Sequence, residues 1–166
     1  LSGDTAVHSD MLMWHSEDSV ENAARQLLNV FFAVPQISVR PDRVPEAHRA
    51  MLRHYLALME RLQGVLTAPL RAEAPHLLYP LVRARKDDTE VIVCYDANRV
   101  VRLSDAARTY VFNATGAEKL LLHGTNVVYR VYDCLGREGK RGETAQAYAE
   151  VAIPSGGYAV LKTEGR

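Results

Sequence analysis

Hydrophobic and polar residues follow two different patterns along the 166-residue chain. In the first part, apolar residues recur every three or four positions in segments 17–32 and 46–65, which predicts two amphipathic helices. A short apolar run precedes the first helix and another, 34–39, separates the two, so this part is predicted to run strand–helix–strand–helix. We expect Ser16 to cap the first helix and Pro35 to end it.

Beyond residue 70 the pattern changes to short runs rich in Val, Leu and Tyr, separated by turn residues. Runs spaced at about 8–12 residues are typical of an antiparallel sandwich or barrel. The charged segment 137–143 is predicted to form the exposed tip of a hairpin. The runs that we predict to be strands are 77–85, 91–95, 100–103, 108–113, 118–123, 127–134, 146–153 and 158–163.

Composition and charge exclude several classes of protein. With 48% hydrophobic residues and 20 basic against 20 acidic residues, the chain is not intrinsically disordered. No apolar run approaches the ~20 residues that cross a bilayer, and zero net charge argues against nucleic acid as a main partner. We therefore expect a cytoplasmic protein with neither membrane nor nucleic acid as partner. Cys94 and Cys134 stand in strand-like runs, where a thiol packs as a small apolar group; a disulfide is the alternative.

The segment 5–15 carries the candidate chemistry. Asp10 follows an apolar run that predicts the end of a strand, and it precedes the first helix. A carboxylate at that place is where α/β-barrel enzymes hold catalytic groups. The apolar residues after it would favour its protonated form, as a general acid requires. A loop or capping role for Asp10, and a metal site shared with His8 and His15, are the alternatives.

Two motifs in this region resemble the α-galactosidase (melibiase-type) clan of glycoside hydrolases: Asp10-Met-Leu12 and, after the helix, Ala33-Val-Pro-Gln-Ile-Ser38. The resemblance implies an α+β fragment. Residues 1–70 would be the last two βα units of a (β/α)8 catalytic barrel, and residues 71–166 would be a C-terminal antiparallel β-sandwich domain.

The resemblance also implies a mechanism. Asp10 would be the general acid/base of a retaining reaction. The nucleophile would lie on an earlier barrel strand outside this chain, so we expect the chain to be part of a longer enzyme and inactive alone. The substrate would be an oligosaccharide or glycoside, most simply an α-galactoside, with no metal or cofactor, and the full-length enzyme could be a homo-oligomer. The residues expected to bind substrate are His8, Ser9, Trp14 and Asp4.

Other interpretations of the same residues remain open. Trp14 is either a core residue or a platform on which a sugar stacks, and Asp4 is either a turn residue or a partner of a sugar hydroxyl. The whole chain could instead be a non-catalytic carbohydrate-binding or interaction module with a helical scaffold. Strand tyrosines would then present aromatic faces, although core packing would equally explain them: Tyr95, Tyr110, Tyr129 and Tyr132.

Overall fold

A computed structural model describes residues 7–163, apart from the side chain of Asp10. This part of the chain is α+β, with two α-helices and a majority of strands. None of its helices combines the length and apolar character that crossing a bilayer requires. The elements in chain order are β1 (His8–Leu12), α1 (Val20–Leu28), β2 (Val34–Ile37), α2 (Glu46–Leu66), β3 (Leu70–Glu73), β4 (Leu81–Lys86), β5 (Thr89–Cys94), β6 (Val100–Arg102), β7 (Arg108–Asn113), β8 (Leu120–His123), β9 (Val127–Tyr132), β10 (Glu138–Thr144), β11 (Tyr148–Val151) and β12 (Tyr158–Thr163).

The two helices occur where the apolar period predicts them, but α1 begins later and ends earlier than expected. Pro35, predicted to end it, lies in β2. Its N-cap is Ser19, whose hydroxyl accepts a hydrogen bond from the Asn22 N–H at 3.2 Å. The prediction of Ser16 as the cap is wrong because Asp18 belongs to a preceding turn. Its carboxylate accepts from the His15 N–H at 2.9 Å.

The strands form three sheets: the pair β1-β2, a seven-stranded sheet in the order β10-β9-β12-β7-β5-β4-β3, and a three-stranded sheet in the order β11-β8-β6. The pairs β1–β2, β5–β7 and β6–β8 are parallel and the others are antiparallel. The prediction of a purely antiparallel C-terminal part is therefore wrong. After β5 the chain crosses to the small sheet as β6, and it returns as β7 in its original direction.

Two edge strands of the large sheet differ from the sequence prediction. The segment expected to be a hairpin tip is strand β10, and the turn lies before it, where the Asp133 carboxylate accepts from the N–H groups of Leu135 and Arg137. β10 pairs on one side only, with β9, so most of its residues are exposed. At the opposite edge lies β3, which the sequence pattern does not predict.

Both faces of the seven-stranded sheet are covered. Val91 and Val93 point into a cluster with α1 and α2, whereas Ile92 and Cys94 point into a second cluster with the small sheet. A strand that is buried on both faces has apolar residues at consecutive positions, which explains the uninterrupted apolar run in β5. The helices and the large sheet thus share one of these two clusters. The division into domains 1–70 and 71–166 stays a prediction.

Buried hydroxyl and thiol groups belong to these clusters. The Tyr55 hydroxyl of α2 donates to the Gly156 carbonyl, and the Tyr95 hydroxyl donates to the Leu28 carbonyl at 3.0 Å, which joins both helices to the strand region. Cys94 and Cys134 are buried free thiols, so the core interpretation is confirmed and the disulfide is excluded. Burial raises the pKa of Cys94 to about 11 and that of Cys134 to about 12.

Candidate functional site

Asp10 lies in β1, at an irregularity in its pairing with β2. His8 is opposite Val34 and Met11 is opposite Gln36, so β1 contains one residue more than β2 between these pairs. This extra residue is a β-bulge at positions 9–10. The prediction that Asp10 follows the strand is wrong, because pairing with β2 continues to the end of β1.

The structure describes some candidate residues more fully than others. The backbone of Asp10 is inside β1, whereas its side chain and the whole of Asp4 lie outside the described part. The Ser9 hydroxyl oxygen accepts a hydrogen bond from the Gln36 N–H at 2.8 Å. Since the oxygen is the acceptor there, the hydroxyl proton can be donated to another group. His8, next to it, is exposed.

The pair β1–β2 has two different faces. Leu12 and Ile37 pack against the cluster that contains the helices. The register places His8, Met11 and Val34 on the other face, where they are exposed; Met11 has 59% and Val34 43% of its surface open to solvent. A parallel sheet is ordinarily covered on both faces. This second face is therefore unusual for parallel strands.

Trp14 comes two residues after the end of β1, and its side chain lies in the core. Only 9% of it is exposed, and its indole N–H donates to Nδ1 of His48 at 3.1 Å. Because Nδ1 is an acceptor, Nε2 of His48 carries the proton and donates to the Asp18 carbonyl at 3.0 Å. This chain of hydrogen bonds fixes the loop after β1 to α2. The core interpretation of Trp14 agrees with this position, and little of the ring is open to a sugar.

The alternative metal site gains no support from the described residues. Nδ1 of the exposed His15 accepts from the Glu17 N–H at 3.3 Å and lies 4.0 Å from the Glu17 carboxylate. Within the described range, no three side chains of His, Cys, Asp and Glu are grouped so that they could hold a metal ion.

The strand tyrosines considered for carbohydrate binding belong to the protein interior. Tyr110 and Tyr129 are buried, and Tyr132 is half-buried with its ring stacked on Tyr158 at 5.0 Å between centroids. Sequence reasoning missed the tyrosine that is exposed on a strand. Tyr148 of β11 is 55% exposed and stacks on His123 of β8 at 4.5 Å.

Sequence reasoning also missed a polar cavity of about 380 Å³ beside β3 and β4. The available signal was the alternation of arginine and apolar residues in β4, which places Arg83 and Arg85 on one face. The arginine of the neighbouring strand could not be assigned, because β3 itself was not predicted. The cavity is lined by Pro69, Arg71, Arg83, Arg85, Glu90 and Ser104.

Two comparisons with known proteins were negative. No model of a known protein family matches the chain, and a search of curated proteins finds no significant match. The function has to be inferred from the residues and geometry of the chain itself.

Proposed function

We propose that the chain is the C-terminal part of a retaining glycoside hydrolase of the α-galactosidase type, with Asp10 as general acid/base. The observation that supports this most is the β-bulge at positions 9–10 of a strand in a parallel βαβ unit. Bulges are frequent at barrel rims and beside active sites, where they redirect a side chain.

The exposed face of β1–β2 supports the same proposal. Two parallel strands with an uncovered face do not make a stable sheet by themselves. In the proposed enzyme, earlier strands extend the pair into a (β/α)8 barrel, with α1 and α2 in the outer ring. His8, Met11 and Val34 would then face the barrel interior, and the strands from β3 onward would form the C-terminal sandwich domain.

The proposed reaction proceeds in two steps. A carboxylate nucleophile attacks the anomeric carbon while Asp10 gives its proton to the departing glycosidic oxygen. Asp10 then removes a proton from the water that hydrolyses the glycosyl–enzyme intermediate. The nucleophile, about 5–5.5 Å away in retaining enzymes, would be supplied by an earlier barrel strand. The Ser9 hydroxyl would donate to a sugar oxygen and the His8 imidazole would bind another, with Asp4 as a further contact.

The test is Asp10→Ala in a polypeptide that includes the earlier barrel strands. For methyl α-galactoside, a substrate with a poor leaving group, kcat should fall by roughly 10²–10⁴. For 4-nitrophenyl α-galactoside the first step needs no acid, and azide should restore turnover and give the α-galactosyl azide. Asp42→Ala, at an exposed carboxylate paired with Arg40, is the matched control. Kinetics of Asp10→Ala equal to those of the control would remove Asp10 from the mechanism.

A carbohydrate-binding surface on the small sheet is the alternative function, and the exposed Tyr148 favours it. Its ring stacks on His123, and the strand register places Arg102 of β6 next in the same row. An aromatic ring beside a cation and a second ring could hold a sugar face. Tyr148→Ala should then abolish retention on immobilised galactan, whereas Tyr79→Ala, at an exposed loop tyrosine, should not. Equal retention of both variants would exclude this surface.

A further inference from the structure

Three arginine side chains share one face of the large sheet at its β3 edge. Arg71 of β3 is directly opposite Arg83 of β4. Arg85 follows two residues later in β4, and residues two apart in a strand point to the same face. Like charges directly opposite each other destabilise a strand pair. Arg71 and Arg83 therefore need negatively charged groups from other positions beside them.

The buried member of the group, Arg83, has partners for its two terminal nitrogens, whereas its buried Nε has none among the described residues. The Arg83 side chain is only 14% exposed; it contacts the carboxylates of Glu73 at 2.6 Å and Glu90 at 3.3 Å, and it donates to the Arg102 carbonyl at 3.1 Å. The second oxygen of the buried Glu90 accepts from the Ser104 hydroxyl at 2.7 Å. Both Glu90 oxygens are thus engaged, and the guanidinium of Arg83 is fixed in position.

The other two guanidinium groups are not neutralised to the same degree. Arg85 pairs with Asp105 through Nη1, but 37% of the arginine and 65% of the aspartate side chain are exposed, and such pairs are weak. Its Nε donates to the Asp87 carbonyl at 3.1 Å. Arg71 is exposed and forms no ion pair within the described part of the chain. Both groups can therefore offer N–H donors to a ligand.

We propose that the cavity between these arginines binds a small oxyanion, the phosphate or carboxylate group of a metabolite. Arg71 and Arg85 bind it directly, and Arg83, held in place by Glu73 and Glu90, forms the wall of the cavity between them. The planar fork of a guanidinium matches two oxygens of such a group. The volume of about 380 Å³ falls within the range of small-molecule sites. This site does not depend on the proposed glycosidase activity.

The experiment is calorimetric titration with inorganic phosphate and, separately, with citrate at constant ionic strength. We expect saturable binding of at least one of the two, and the anion that binds identifies the class. Arg71→Gln and Arg85→Gln should each weaken binding about tenfold, the factor that one charge-assisted hydrogen bond contributes. Arg71→Lys should also weaken binding, because lysine keeps the charge without the fork.

Arg141→Gln is the control. Arg141 lies on β10 at the opposite edge of the same sheet, exposed and paired with Glu138. The Arg141→Gln variant should bind the anion with the affinity of the parent chain. Absence of saturable binding of both anions, or an equal loss in Arg141→Gln, would overturn the proposal. A parent-like affinity of Arg71→Gln would do the same.

Discussion

The hydrogen bonds through His48 lead to a prediction about the loop after β1. His48 is 2% exposed and holds the indole N–H of Trp14 and the carbonyl of Asp18. His48→Phe keeps an aromatic ring of similar size but removes both hydrogen-bonding nitrogens. The buried indole N–H then has no acceptor, and the Asp18 carbonyl loses its donor.

The magnitude follows from these two losses. A buried polar group left without a partner costs about 1–3 kcal/mol. The unpaired indole N–H accounts for most of this cost because it is buried, whereas the Asp18 carbonyl is only partly buried. We therefore expect His48→Phe to lower the free energy of unfolding by about 2–4 kcal/mol.

The assay is urea unfolding followed by fluorescence and by circular dichroism. Trp14 is the only tryptophan of the 166 residues, so its emission reports this loop directly. His48→Asn is the matched variant, because its amide oxygen can replace Nδ1 as the acceptor for Trp14; it should recover more than half of the lost stability. His76→Phe, at an exposed histidine, should be neutral. A change below about 0.5 kcal/mol in His48→Phe would refute the reasoning, since that is the range of ordinary surface substitutions.

Two further predictions concern the contact between α2 and the β9–β10 turn. Burial, reinforced by Arg61 and weakly opposed by Asp133, lowers the pKa of His54 below its ordinary value. The unfolded chain then binds the proton more readily, so the free energy of unfolding should fall as the pH drops below about 6.5. His54→Gln should lose less unfolding free energy between pH 7.5 and 5.5 than the parent chain. An equal dependence of unfolding free energy on pH in both proteins would contradict this. Gly136 has φ +78° and a Cβ there would overlap the His54 ring, so Gly136→Ala should lower the unfolding free energy by at least about 2 kcal/mol. Gly139→Ala, where a Cβ meets only ordinary contacts, should cost clearly less in the same denaturation assay, and equal losses would count against the geometry.

The elements that the sequence predicted well are those whose burial follows a single period. Helix α2 was predicted at 46–65 and observed at Glu46–Leu66, because its buried stripe extends over 21 residues. Strands β7 and β12 match their predicted bounds, since apolar runs define them. Strand β10 could not be recognised, because an exposed edge strand has no apolar alternation to detect.

The pairing of elements and the sites that depend on it could not be predicted. β7 is parallel to β5 because the chain passes through strand β6 of the small sheet between them. This connection has no periodic pattern of apolar residues that the sequence could reveal. The contact of Trp14 with His48 joins residues 34 positions apart, and the arginine cavity requires the register of β3 with β4. The local context of Asp10 predicts a functional role for this residue. The bulge in β1 could not be predicted, because it depends on the register of β1 with β2.

The position of β12 has a consequence for how the chain is made. It is the last strand in chain order, yet it lies between β7 and β9 and pairs with both along its length. Until residues 158–163 leave the ribosome, the large sheet exists as two separate pieces with facing open edges. Closure must then follow synthesis of residues 158–163, and a premature stop codon before residue 158 would leave a product prone to aggregate.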